Sequence, residues 1–220
     1  MRLTLAIVFS IAILAIHTPA ARSAMYITEW AYQGNGGEFM EFTNTGGTPV
    51  DMTGWSFDDN TQTAGSVSLS AFGVVAPGES VILADITAAA FRTEWGLPAS
   101  VKVIGENTQN LGRADEINLF DNTNALADRL TYDDQTLGGP RTNLASGNPK
   151  TLAVLGANNV TQWVLSTAGD AYGSYLSVSG GLGNPGKFTL VPEPGMFGLI
   201  AMLIAGGCVQ RRVTSRCREH

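Results

Sequence analysis

YITEWAYQGNGGEFMEFTNTGGTPVDMTGWSFDD, residues 26–59, reads as three strands separated by two turn-rich stretches. Strands are expected over Met25–Tyr32, Glu38–Thr45 and Gly54–Asp58. Side chains of an extended chain alternate sides, so Met40 and Phe42 share one face of the second strand and Phe39 and Glu41 the other. Asn44-Thr45-Gly46-Gly47 has turn composition, and Trp55, directly after Gly54, stands where a sandwich packs an aromatic between its sheets. Glu29, Glu38 and Glu41 are the awkward residues. They are expected on a solvated face with backbone or Arg partners, in preference to a catalytic role.

The same punctuation continues along the chain. Further strands are expected over Val67–Leu69, Ser80–Ala84, Val101–Ile104, Glu116–Phe120, Leu126–Tyr132 and Thr161–Leu165. In Leu126–Tyr132 the residues Leu126, Leu130 and Tyr132 share a face, with Asp128 an exception on it. Pro77-Gly78 and Asp121-Asn122-Thr123-Asn124 read as turns. Helical signal is confined to Thr87–Trp95, where Thr87 can cap the first turn and Gly96-Leu97-Pro98 stops the last. Gln135–Lys150 loses periodicity and reads as a long loop or covering segment, and Gly169–Lys187 is polar and Gly-rich. There is no internal repeat and no sign of a second domain. The class is all-β, a sandwich or barrel with one short helix.

Several stretches in order share a common source. They are Ile27-Thr28-Glu29, Gly37–Asn44, Pro49–Trp55, Val75–Glu79 with Ser80–Ala84, Asp115–Asp121 with Asp128–Tyr132, and Gly183-Asn184-Pro185-Gly186-Lys187. Together they resemble a lamin tail domain, the last as its closing turn, over most of Met25–Lys187. The resemblance implies a compact immunoglobulin-like β-sandwich with no catalytic role of its own. Thr87–Gly96 would be an insertion of a bacterial kind.

The two ends have a different character. Met1-Arg2, the apolar run Leu3–Ile16 and the small residues up to Ala24 have the order of a secretory signal peptide, and the run is shorter than the roughly 20 residues of a membrane span. At the other end, Pro192-Glu193-Pro194 precedes apolar Gly195–Val209 and then Arg211, Arg212, Arg216 and Arg218, a cluster that holds its side of a membrane helix in the cytoplasm. These three elements resemble the PEP-CTERM sorting tail of Gram-negative and related bacteria. In that family an exosortase-type membrane protease reads the Pro-Glu-Pro, and the tail is removed or exchanged. The expected division is therefore a signal peptide at 1–24, a lamin-tail-like β-sandwich at 25–190 and a sorting tail at 191–220.

Composition narrows the chemistry. Residues 25–191 hold 7 basic and 17 acidic side chains, a formal charge of −10 against −6 for the whole chain. Such a field opposes nucleic acid. Cys208, Cys217, His17 and His220 all fall outside this body, which excludes from it a Ser-His-Asp triad, a cysteine nucleophile and the usual zinc sites. Chemistry would have to rest on carboxylates, as in a glycoside hydrolase. No cofactor is required. Calcium is the one candidate, on Asp58, Asp59, Asp133 and Asp134, although Asp is an ordinary turn former. The expectation is an exported, non-catalytic binding or structural protein of the cell surface or extracellular matrix. Its partners would be the exosortase-type protease, the membrane transiently, and exopolysaccharide or other surface proteins. The alternatives are a carboxylate-dependent polysaccharide hydrolase and a permanently membrane-anchored binding module.

Overall fold

The computed structural model describes residues 25–189. The expected signal peptide, Pro192, Glu193 and Pro194, and Arg211, Arg212, Arg216 and Arg218 lie outside the described residues. In chain order the elements are β1 (Met25–Ala31), β2 (Phe39–Asn44), β3 (Val50–Asp51), β4 (Ser56–Asp58), β5 (Val67–Ser68), β6 (Val74–Val75), β7 (Ser80–Ala84), α1 (Ala88–Trp95), β8 (Lys102–Ile104), β9 (Ala114–Phe120), β10 (Leu126–Asp133), β11 (Gly147–Pro149), β12 (Trp163–Leu165), β13 (Tyr175–Leu176) and β14 (Leu182–Gly183).

Two sheets form the body. One has six strands in the order β12-β11-β1-β2-β7-β8, and the other has four in the order β10-β9-β4-β5. The pairs β13-β14 and β3-β6 are small separate ladders. Inward-facing residues of both sheets meet in one core. Ile27, Trp30, Met40, Phe42, Val81 and Leu83 come from the six-stranded sheet, and Phe57, Ile117, Leu119, Leu130 and Tyr132 from the four-stranded one. Trp30 and Tyr132 stack across the gap with ring centroids 3.9 Å apart. Trp55 is buried in this core, as its place after Gly54 predicts. Asp128, the exception on the apolar face of β10, accepts the Ile27 amide at 2.9 Å and so ties the second sheet to β1.

The six-stranded sheet is also covered on its outer face. Phe39, Ile82 and Ala84 point there and bury Phe91 and Trp95 of α1. Phe39 meets Phe91 edge-on at 5.4 Å and Trp95 at 5.7 Å. The local signals place this helix: Thr87 accepts the Ala90 amide, and Gly96 closes the last turn in the left-handed conformation (φ 62°). The helix also carries the chain from β7 to β8, the one parallel pair among the described strands, since parallel neighbours need a crossover.

The structure departs from the sequence expectation after residue 135. Gly147–Pro149, read as part of a loop, is a strand hydrogen-bonded between β1 and β12. A Gly-Asn-Pro run has no strand signature. At Gly147 the packing is tight, since a Cβ there would stand 3.1 Å from both Trp30 and Thr142, and Pro149 falls at the strand end, where a missing amide is tolerated. Thr161–Leu165 divides into a 3-10 turn, Val160–Gln162, and β12.

Candidate functional site

The outer face of the six-stranded sheet, beside α1, carries an unusual polar cluster. A β-bulge in β1 between Ile27 and Glu29 produces it. The extra residue puts Ile27 and Trp30 both into the core and leaves Thr28 and Glu29 both on the outer face. Glu29 then stands directly opposite Glu41 of β2. Both glutamates are 0 % exposed. The expected solvated face is therefore wrong for this pair. The chain folds a cover over them, and among the described residues no Lys or Arg forms an ion pair with either.

The cover is the closing turn. Asn184 donates its amide to Glu29 Oε1 and Gly186 donates its amide to Glu41 Oε2, each at 2.7 Å, and Phe188 donates to Ser80 Oγ at 3.3 Å. Thus every second amide of the turn reaches a side chain on the next strand, from β1 to β2 to β7. Ser146 donates to Glu29 Oε1, and Thr28 donates to Glu41 Oε1 at 2.7 Å. Ser166 and Asn148 complete the ring, and Asn148 also donates to Asn184 Oδ1 at 2.9 Å. Glu29 Oε2 is buried with no hydrogen-bond partner among the described residues.

Burial dominates the electrostatics. It pushes the Glu29 carboxyl well above the ordinary carboxylate range; the neighbouring Glu41 adds to that, and the Ser146 and Asn184 hydrogen bonds oppose it. Burial raises Glu41 as well, against hydrogen bonds from Thr28 and Gly186. Glu38 lies on the opposite side of the sheet, at the rim of the core, where its Oε1 accepts the Leu111 amide at 2.8 Å. It is also buried rather than solvated, and burial pushes it up to about 8. The three glutamates therefore do not converge: two form a sealed pair and the third is on the other face.

An open cleft of about 470 Å³ adjoins the closing turn, lined by Leu97, Val101, Tyr172 and Tyr175 and, from the turn itself, Asn184 and Lys187. Neither Glu29 nor Glu41 lines it. Asp170, also at its edge, is occupied by the amides of Thr167, Tyr172 and Ser174. A hydrolase needs a carboxyl pair that substrate and water can reach, and this pair is reached by neither.

The calcium candidates are likewise spent locally. Asp58 accepts from Thr61, Thr63 and Gln109, and Asp59 from the Thr61 amide. Asp133 caps the turn at Gln135, and Asp134 pairs with Arg113 through two bonds of 2.6 and 2.8 Å. Asp58 and Asp133 lie on strands either side of β9, opposite Asn118 and Ala114, so they do not face one another. Among the described residues no three His, Cys, Asp or Glu side chains are grouped to hold a metal ion.

Sequence reading missed Ser146, Asn148 and Ser166, which fall in aperiodic or short-strand stretches. It found the closing turn without finding what the turn closes on. A family model, that of the Lamin Tail Domain, matches residues 18–134 of this chain, more than half of it. The chain belongs to the lamin tail domain family. No curated protein matches it. The match begins within the expected signal segment and ends just after β10. In this lamin tail domain, therefore, Glu29 and Glu41 belong to the matched part, while Ser146, Asn148, Ser166 and Asn184, which seal them, come from the chain beyond it. No helix of the described residues is long and apolar enough to cross a membrane.

Proposed function

We propose that this lamin tail domain is a non-catalytic binding or structural module, exported and sorted to the cell surface or extracellular matrix by an exosortase-type protease acting at Pro192-Glu193-Pro194. The observation that carries the non-catalytic half is the closure of the acid pair. Glu29 and Glu41 are fully buried beneath main chain, their bonded oxygens taken by amides and hydroxyls, and Glu38 is on the other side of the sheet. Without His or Cys in the body, hydrolytic chemistry would rest on carboxylates, and Glu29 and Glu41 are the pair set opposite each other on adjacent strands. The export half is supported by the order of elements at the two ends: a signal-type start, and a Pro-Glu-Pro, apolar and arginine-rich finish. The partner is then a polymer of the surface, exopolysaccharide or another surface protein, and the cleft beside Tyr172 and Tyr175 is where to look for it first.

The test is recovery of the protein from the surface of a host that carries such a protease, with its intact mass and C-terminus determined. Loss of Arg211–His220 with a new C-terminus near Pro192–Pro194 is expected, and the recovered body should release no reducing ends from surface polysaccharide. A full-length tail retained in the membrane fraction would make the chain a permanently anchored module instead. Release of sugar by the wild type, abolished by Glu29→Gln, would make it a hydrolase.

A further inference from the structure

The closing turn crosses the outer face of the six-stranded sheet without joining it as a strand. Of the three side chains that accept its main-chain amides, two are carboxyls that stand opposite each other on adjacent strands, fully buried, with one oxygen of Glu29 unpartnered among the described residues. Such a pair is stable in a dry site only while it keeps a proton. Once both groups are charged, mutual repulsion and lack of solvation act together, and water can reach them only if the chain above lifts. We propose that Gly183–Phe188 is a releasable strap, closed while the Glu29–Glu41 pair holds a proton and opened when both carry charge.

Among the described residues no Lys or Arg pairs with either carboxyl. From the covering loop, Asp170 adds a further negative group, and Tyr175 of β13 is itself pushed up to about 12, by burial first and then by Glu29 and Glu41. From the sheet come only the hydroxyls of Thr28, Thr43, Ser80, Ser146 and Ser166 and the amide of Asn148. Helix α1 presents Trp95 beside Gly183, while its Arg92 is turned to the carbonyls of Val101 and Ala88. Lys187 is exposed on the outside of the strap. Burial and mutual proximity keep the Glu29 proton bound well above the ordinary carboxylate range, so release belongs to the higher part of the pH scale. This inference does not depend on export or sorting.

The Lys187–Phe188 bond lies inside the strap, so trypsin reports its opening. The full chain in mild detergent is digested between about pH 6 and 9.5, and the cut after Lys187 is followed by mass. Its rate is divided by the rate on a synthetic peptide of residues 183–193, which removes the protease's own pH response. The corrected rate is expected to climb with pH, by up to about tenfold per unit for one proton released on opening. In Glu29→Gln, which lacks the second charge, it should stay near its acid-side value throughout. Gly183→Ala should be cut fast at every pH, because its Cβ would stand 2.7 Å from Glu29 Oε1 and prop the strap open. If Glu29→Gln does not fold, Glu41→Gln carries the same expectation. A flat corrected rate in the wild type, or an unchanged slope in the folded Gln variant, overturns the proposal.

Discussion

Gly183 has no room for a side chain. A Cβ there would lie 2.7 Å from Glu29 Oε1, 2.9 Å from Ser146 Oγ and 3.2 Å from Trp95. Gly183→Ala should therefore lower stability by about 1–3 kcal/mol, in the range of overpacked sites. Gly47, with nothing within 4 Å of its Cβ position, should accept Ala with a change of no more than about 0.5 kcal/mol. Urea midpoints of the two variants check the contrast, and equal effects would mean that the closing turn is loosely seated. The buried glutamates set the pH dependence. A carboxyl whose folded pKa is raised contributes stability that is complete below its unfolded value and is lost as pH rises through the folded one. For Glu38 that window runs from 4.5 to about 8, and Glu29 and Glu41 act in the same direction. Urea midpoints should therefore fall between about pH 5 and 8. Glu38→Gln should flatten the fall, which separates this cause from the general self-repulsion of an acidic body. A midpoint that rises over the same interval would contradict the assignment.

Elements differ in how openly they declare themselves. Helix α1 has its cap, its apolar pair and its left-handed stop within ten residues, so local chemistry suffices to place it. Thr87→Ala removes the bond to the Ala90 amide and should lower stability by about 1 kcal/mol. Phe91→Ala opens a hole against Phe39 and should lower it by about 3–5 kcal/mol. Thermal melts of both variants test whether the helix is structural cover for the sheet; a negligible effect of Phe91→Ala would show that it is not. Strand β11 is the opposite case. Its three residues have no alternation to read, and it is a strand because Trp30 of β1 and Val164 of β12 supply its partners on either side. The bulge in β1 was equally hidden. Strict alternation would put Glu29 on the face of Ile27, and only the pairing with β2 reveals the extra residue.

At the scale of the molecule, the family match stops at residue 134 while the sheet and its seal do not. β11 and β12 extend the six-stranded sheet, and the closing turn buries the acid pair. A chain ending at Asp134 would leave one edge of β1 unpaired and two carboxyls uncovered. It should lose cooperative unfolding, whereas residues 25–189 should unfold in one transition. A truncated chain with the same denaturant midpoint would show that the later elements are accessory.

What the sequence determined alone is local: the strands with period-two patterning, the capped helix, the turns at Pro77-Gly78 and Asp121–Asn124, and a body without His or Cys. Each of these depends on neighbours a few residues away, through propensity, side-chain alternation and the backbone conformations that glycine allows. Tertiary structure decided the phase of β1 and the parallel placing of β8, and it turned three glutamates expected on a solvated face into one sealed pair and one rim group. The amides that seal the pair lie 155 and 145 residues along the chain from the carboxyls they meet. Whether a charged side chain is wet or dry is set by what folds over it, and no local pattern records that.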